Sequence, residues 1–243
     1  MTAAGIMGGV VARASDGQFP GTVGDVLGDL PLFSKLAPTQ LDHVVAGSRP
    51  VELPRGKILF FAGDPCDAFF AVARGQMKLT LSAPDGGEKV LEIISAGETF
   101  GEAVMFAGRP YPVTATALVH THLVVIPASL VLDLVEADTM FARRMLAGMA
   151  QRLHTMVNDV EAISLRTATQ RVVGLLLNLA GEHPAPGTTV ALPSGKAVVA
   201  SRLSLKPETF SRTLHQLADE GLLAVDGSRI TLLDPSRLAS ALQ

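Results

Sequence analysis

Between positions 206 and 217 the chain reads Lys206-Pro207-Glu208-Thr209-Phe210-Ser211-Arg212-Thr213-Leu214-His215-Gln216-Leu217. Glu208, Ser211, Arg212 and His215 fall at i, i+3, i+4 and i+7, one stripe of a helix, while Phe210, Leu214 and Leu217 recur on another. The polar stripe carries the donor and acceptor types that read base edges. A guanidinium fork matches O6 and N7 of guanine, a carboxylate accepts from N4 of cytosine, and the Thr209 and Ser211 hydroxyls serve either. Lys196, Arg202 and Lys206 nearby are suited to phosphates.

Such a row must be held rigidly. Pro207 is suited to the first turn of a helix, where the missing N–H costs nothing. Upstream, 196–203 forms a second short helix with Val199, Ala200 and Leu203 on one side, followed by a break at Ser204-Leu205-Lys206. Two short helices and a tight turn, with small Ala200 where they nearly touch, describe a helix-turn-helix. Taken alone, the stretch also suits an amphipathic surface helix. Downstream, Gly221 closes the helix, and Asp226-Gly227 between two apolar runs signals a hairpin, which together describe a winged helix.

Glu208-Thr209-Phe210-Ser211-Arg212 resembles the E-x-x-S-R recognition run of the FNR branch of the CRP/FNR transcription factors, and 169–233 most resembles the Dnr, denitrification-regulator, subgroup. The resemblance implies a homodimeric activator that reads a TTGAT-type palindrome in double-stranded DNA, works with RNA polymerase and answers to an effector. A CRP-like regulator responding to a nucleotide or another small molecule is the alternative, and a ligand-binding module without DNA contact is a further one.

Charge is distributed accordingly. The chain has 243 residues, 20 Lys/Arg and 23 Asp/Glu, yet 166–243 holds eight basic against six acidic residues. The positive excess therefore sits beside the polar stripe. A single cysteine, Cys66, excludes an internal disulfide and the thiolate set of an iron–sulfur cluster. No run of about 18 apolar residues occurs, so no membrane span is expected, and no basic residue precedes the mildly apolar 6–12, so a cytoplasmic chain is expected.

In chain order, 1–28 contains seven glycines and reads as a flexible arm. Short apolar runs separated by glycine turns over 29–137 predict an antiparallel β-roll, a sensor resembling the cyclic-nucleotide-binding type. Asp138 is a plausible N-cap for a long helix over 138–165. On it Leu146, Met149, Leu153, Met156, Val160 and Ile163 are spaced by three and four, a heptad seam for a partner helix. Thr167-Ala168-Thr169-Gln170 reads as a capping box that opens a winged-helix domain over 166–243. The fold class is α+β.

Nucleophile-elbow, zinc-protease and phosphate-loop patterns are missing from the sequence, which argues against an enzyme. In the sensor, Gly101-Glu102 matches the family pattern, but Pro112-Val113 stands where cyclic-AMP regulators carry an Arg-Ser pair, and Arg109 is displaced. Cyclic AMP is therefore not expected. The pocket is expected to involve Gly101, Glu102, Tyr111, His154, Met156 and Val157, and the apolar wall of Met156 and Val157 favours a flat apolar ligand. The Dnr resemblance implies haem b and nitric oxide. Positions expected to hold haem-ligating histidines carry Leu30, Pro31 and Arg202, leaving His154, His120 and His122 as candidates.

Overall fold

The computed structural model describes residues 19–82 and 87–242. It forms two compact units, the first running through Leu81 and resuming over Glu92–Met149, the second built from Ser82–Leu91 and Ala150–Gln243.

The first unit opens with α1 (Val23–Asp29) and α2 (Pro38–Gly47). The expected arm over 1–28 is corrected here: its residues 1–18 lie outside the described residues, but the remainder is ordered into α1. Thr22 accepts from the Asp25 amide while the Asp25 carboxylate accepts from the Thr22 amide, a capping box, and Leu27 is fully buried. Tertiary packing and this box outweigh the low helix propensity of Gly24 and Gly28.

Strands β1 (Arg49–Leu53), β2 (Ile58–Phe60), β3 (Ala68–Arg74), β4 (Gln76–Ser82), β5 (Glu88–Ser95) and β6 (Thr99–Phe100) follow, then α3 (Glu102–Ala107), β7 (Thr114–Ala117) and β8 (Thr121–Pro127). They form two four-stranded sheets, ordered β1-β8-β3-β6 and β2-β7-β4-β5. Helix α3 departs from the uninterrupted strands expected; it is short and bounded by left-handed Gly101 and Gly108.

Both faces of the first sheet are covered, which is why β3 and β8 read as unbroken apolar runs rather than alternating ones. Phe70, Val72, Leu123 and Val125 face the roll interior with Phe60, Met77, Phe100 and Tyr111. Phe69, Ala71, Val124 and Ile126 face outward onto Leu27, Phe33, Val44 and the following helices. Gly75 connects β3 to β4 at φ +95°, and a Cβ there would lie 2.7 Å from the His120 carbonyl oxygen, so only glycine fits.

After β8 come α4 (Ala128–Ala137) and α5 (Thr139–Leu165). Asp138 caps α5 as expected, its Oδ1 accepting from the amides of Met140 and Phe141. On α5, Phe141 and Met145 are buried, whereas Leu146, Leu153, Met156 and Val160 stand about 60% exposed. Among the described residues no helix is long and apolar enough to cross a membrane.

The second unit continues through α6 (Ala168–Ala180), β9 (Thr188–Ala191), α7 (Lys196–Arg202), α8 (Pro207–Asp219), β10 (Leu223–Asp226), β11 (Arg229–Leu232) and α9 (Pro235–Ser240). Thr167 and Gln170 form the capping box of α6. Strands β10, β11 and β9 make an antiparallel sheet in that order. A core of Val172, Leu176, Val199, Phe210, Leu214, Leu217, Ile230 and Leu238 joins helices to sheet.

Candidate nucleic-acid interface

Helix α8 is fixed at three places. Pro207 occupies its first turn. Phe210, Leu214 and Leu217 are each no more than 1% exposed and anchor its inner face, a burial worth roughly 1.5–3 kcal/mol per side chain. At its C-terminus the Leu222 amide donates to the Leu217 carbonyl and the Gly221 amide to the Ala218 carbonyl, a full Schellman closure with Gly221 at φ +71°. The turn before it depends on Ser204, which takes the left-handed region at φ +56°, and on the Leu205 amide donating to the Ala200 carbonyl at 2.9 Å. Ala200 itself is fully buried against the helix pair.

With the inner face pinned, Glu208, Arg212 and His215 are exposed and Thr209 and Ser211 half-buried. His215 Nδ1 lies 2.8 Å from the Ser211 carbonyl oxygen, holding the imidazole along the helix. Among the described residues no carboxylate pairs with Arg212, so its guanidinium is available to a ligand. Lys206 is exposed at the helix start, and Lys196 is half-buried at the start of α7. Arg202 is half-buried at the end of α7, its guanidinium 3.6 Å from Asp159 of α5.

Two residues that the sequence reading did not single out hold the turn. Lys89 donates to the carbonyls of Ser201 and Arg202 and to the Ser204 hydroxyl, the last at 2.6 Å. Burial pushes its pKa down, and the neighbouring charge of Arg171 adds to that while Asp159 opposes it. Arg171 donates to the carbonyls of Ile163, Arg166 and Leu203, closing the end of α5 and the end of α7. Neither has a local sequence signal, because Lys89 reaches acceptors more than 100 positions away and Arg171 bonds backbone carbonyls, which carry no residue type to read.

The expected effector residues are divided between the two units. In the first, Tyr111 is buried, donates its hydroxyl to the Ala68 carbonyl, and stacks on Phe60 with centroids 3.7 Å apart. Burial raises its pKa. Gly101 is left-handed and Glu102 is buried at the start of α3, while Arg109 is exposed. In the second, His154, Met156 and Val157 are exposed on α5.

Among the described residues no histidine is aimed into the interior of the roll. His43, His154, His183 and His215 lie on α2, on α5, in the loop after α6 and on α8. His122 shares the outward parity of Val124 and Ile126, and its ring contacts that of His120 at 5.0 Å, so neither ligates into the interior lined by Phe70 and Tyr111.

A roll, a long helix and a winged helix-turn-helix with an exposed polar row are the parts of a DNA-binding protein. The family described as cyclic nucleotide-binding domain matches residues 50–138, and that described as Crp-like helix-turn-helix domain matches 170–241. Transcriptional activator protein FnrA of Stutzerimonas stutzeri is 31% identical over 200 residues, 80% of each chain. A CRP-like cAMP-activated global transcriptional regulator of Mycobacterium tuberculosis is 24% identical, covering 88% of this chain and 97% of its own. The structure of FixK2 from Bradyrhizobium japonicum, 23% identical, superposes with a TM-score of 0.71 over 80% of this chain and 96% of that one, a likeness of fold. The chain belongs to the CRP/FNR family and is a DNA-binding transcription regulator; its domains and relatives are those of regulators, not enzymes.

Proposed function

We propose that this regulator is a cytoplasmic homodimer that reads a TTGAT-type palindrome with α8 and activates transcription with RNA polymerase. The observation that carries this is the exposed, unpaired Arg212 beside Glu208 and Ser211 on a helix whose opposite face is fully buried. Arg212 is assigned to guanine, Glu208 to cytosine, and Lys206 and Lys196 to phosphates. The exposed apolar seam of α5 supports the dimer, and a two-fold dimer calls for a palindromic operator. The name of the S. stutzeri relative supports activation. In a reconstituted transcription assay, activation from a promoter with this palindrome supports the reading; repression or no response overturns the activator assignment.

For the effector, we propose a small molecule whose binding biases the arrangement of the DNA-reading helices, a population shift. Pro112 and Val113 supply no side-chain donor for a cyclic phosphate, which disfavours cyclic AMP. The Dnr resemblance of 169–233 favours haem with nitric oxide, and His154, on α5, is the candidate ligand. The name of the M. tuberculosis relative favours a nucleotide as the second reading. Parallel titrations separate them: a stoichiometric Soret band abolished by His154→Ala supports haem, whereas heat release with cyclic AMP and none with haem supports the nucleotide.

A further inference from the structure

The outer face of the β1-β8-β3-β6 sheet carries a group of side chains that neither DNA reading nor the effector proposal uses. Glu52 on β1 stands directly opposite His122 on β8 in the strand register. His120, two residues earlier, lies diagonal to the pair, on the same side. One donor atom from each of the three falls within 4.8 Å of the other two. The two imidazoles meet edge to face, with centroids 5.0 Å apart and planes at 79°.

Three features distinguish this from an ordinary surface ion pair. His122 is only 2% exposed, its ring covered by the edge of Phe19, so one ligand is preset by packing. Glu52 Oε1 is buried and lies 2.5 Å from His120 Nε2, so carboxylate and imidazole are already brought together. A cation held between them compensates the buried carboxylate oxygen. His120 is exposed, which leaves one side of the group open to water as a fourth ligand.

We propose that Glu52, His120 and His122 form a binding site for a divalent first-row metal ion, of the zinc or ferrous type. Two imidazole nitrogens and one carboxylate oxygen suit either ion, while the missing thiolate disfavours copper(I) and the imidazoles disfavour magnesium and calcium. Ligand bonds of about 2.0–2.2 Å put tetrahedral donors roughly 3.3 Å apart. Small side-chain rotations therefore close the set around an ion, Glu52 and His120 parting slightly while the third donor approaches. Arg74, opposite His122 on β3, is the neighbouring like charge; its side chain is exposed and screened by water. A bound ion would clamp β1 to β8 beneath Phe19.

The test uses tag-free, full-length protein stripped by chelator. Zinc and, without oxygen, ferrous iron are titrated separately into wild type, Glu52→Gln and His120→Ala, with circular dichroism verifying the fold. His120 is exposed, so its removal leaves the core packing intact. One ion per chain is expected, with a rise in Tm on binding. Altering a partner behind the ligands already costs about 10–100-fold in affinity, so losing a ligand should cost more than about a hundredfold. Preference for zinc or iron identifies the occupant. Failure of both metals to bind, or equal affinity in folded variants, overturns the site.

Discussion

Replacing both Leu153 and Met156 by Glu should break the dimer. In the single chain these side chains are 63% and 58% exposed, so a partner helix would cover about that fraction of each. Full burial of a Leu or Met is worth roughly 1.5–3 kcal/mol, so each contributes about 1–2 kcal/mol at the seam. Two positions on each of two chains bring this to about 4–7 kcal/mol before the cost of desolvating four carboxylates. At about 1.4 kcal/mol per tenfold, the dimer should weaken by at least about a thousandfold. Sedimentation velocity across a concentration series measures this, with an operator band shift in parallel. Because the two residues bury little within their own chain, circular dichroism and Tm should change little. A variant that sediments as wild type and still binds operator would refute the seam as the interface.

Other perturbations probe the frame that aims α8 and α5. Ala200→Leu forces a larger side chain into a fully buried position between packed helices and should cost about 1–3 kcal/mol, measured by urea unfolding. Asp138 has its pKa held below 3.8, chiefly by the hydrogen bond from the Phe141 amide. Its cap therefore stabilises the fold above pH 3.8 and loses that contribution as pH falls through the lower folded value. In Asp138→Ala, the Tm deficit relative to wild type should be full near neutrality and shrink in strong acid. Lys89→Met removes a charged donor from three acceptors and should speed amide hydrogen exchange near the end of α7 and its turn.

What the sequence disclosed was local. Pro207, the apolar Phe210, Leu214 and Leu217, and Gly221 lie within one helix and its cap, so periodicity and capping rules located α8 and its exposed row. The same holds for the Thr167 box and for the seam of α5. Features resting on distant partners were hidden. Helix α1 carries two glycines and is held by the packing of Leu27, and α3 is six residues between two left-handed glycines. The ion pair of Arg202 with Asp159, 43 positions earlier, likewise has no local signal. His120 and His122 were visible as a pair, yet Glu52 joins them only through the register of β1 on β8.

The most direct measurement is a fluorescence-anisotropy titration of wild type and Arg212→Ala against a TTGAT-type palindromic duplex and a version with the half-site guanines replaced, at fixed salt. Wild type should discriminate between the duplexes. Arg212→Ala should lose about 1–3 kcal/mol per half-site on the palindrome and bind both duplexes with similar affinity. Wild-type affinity and selectivity in the variant would contradict the reading of α8 as the base-reading helix.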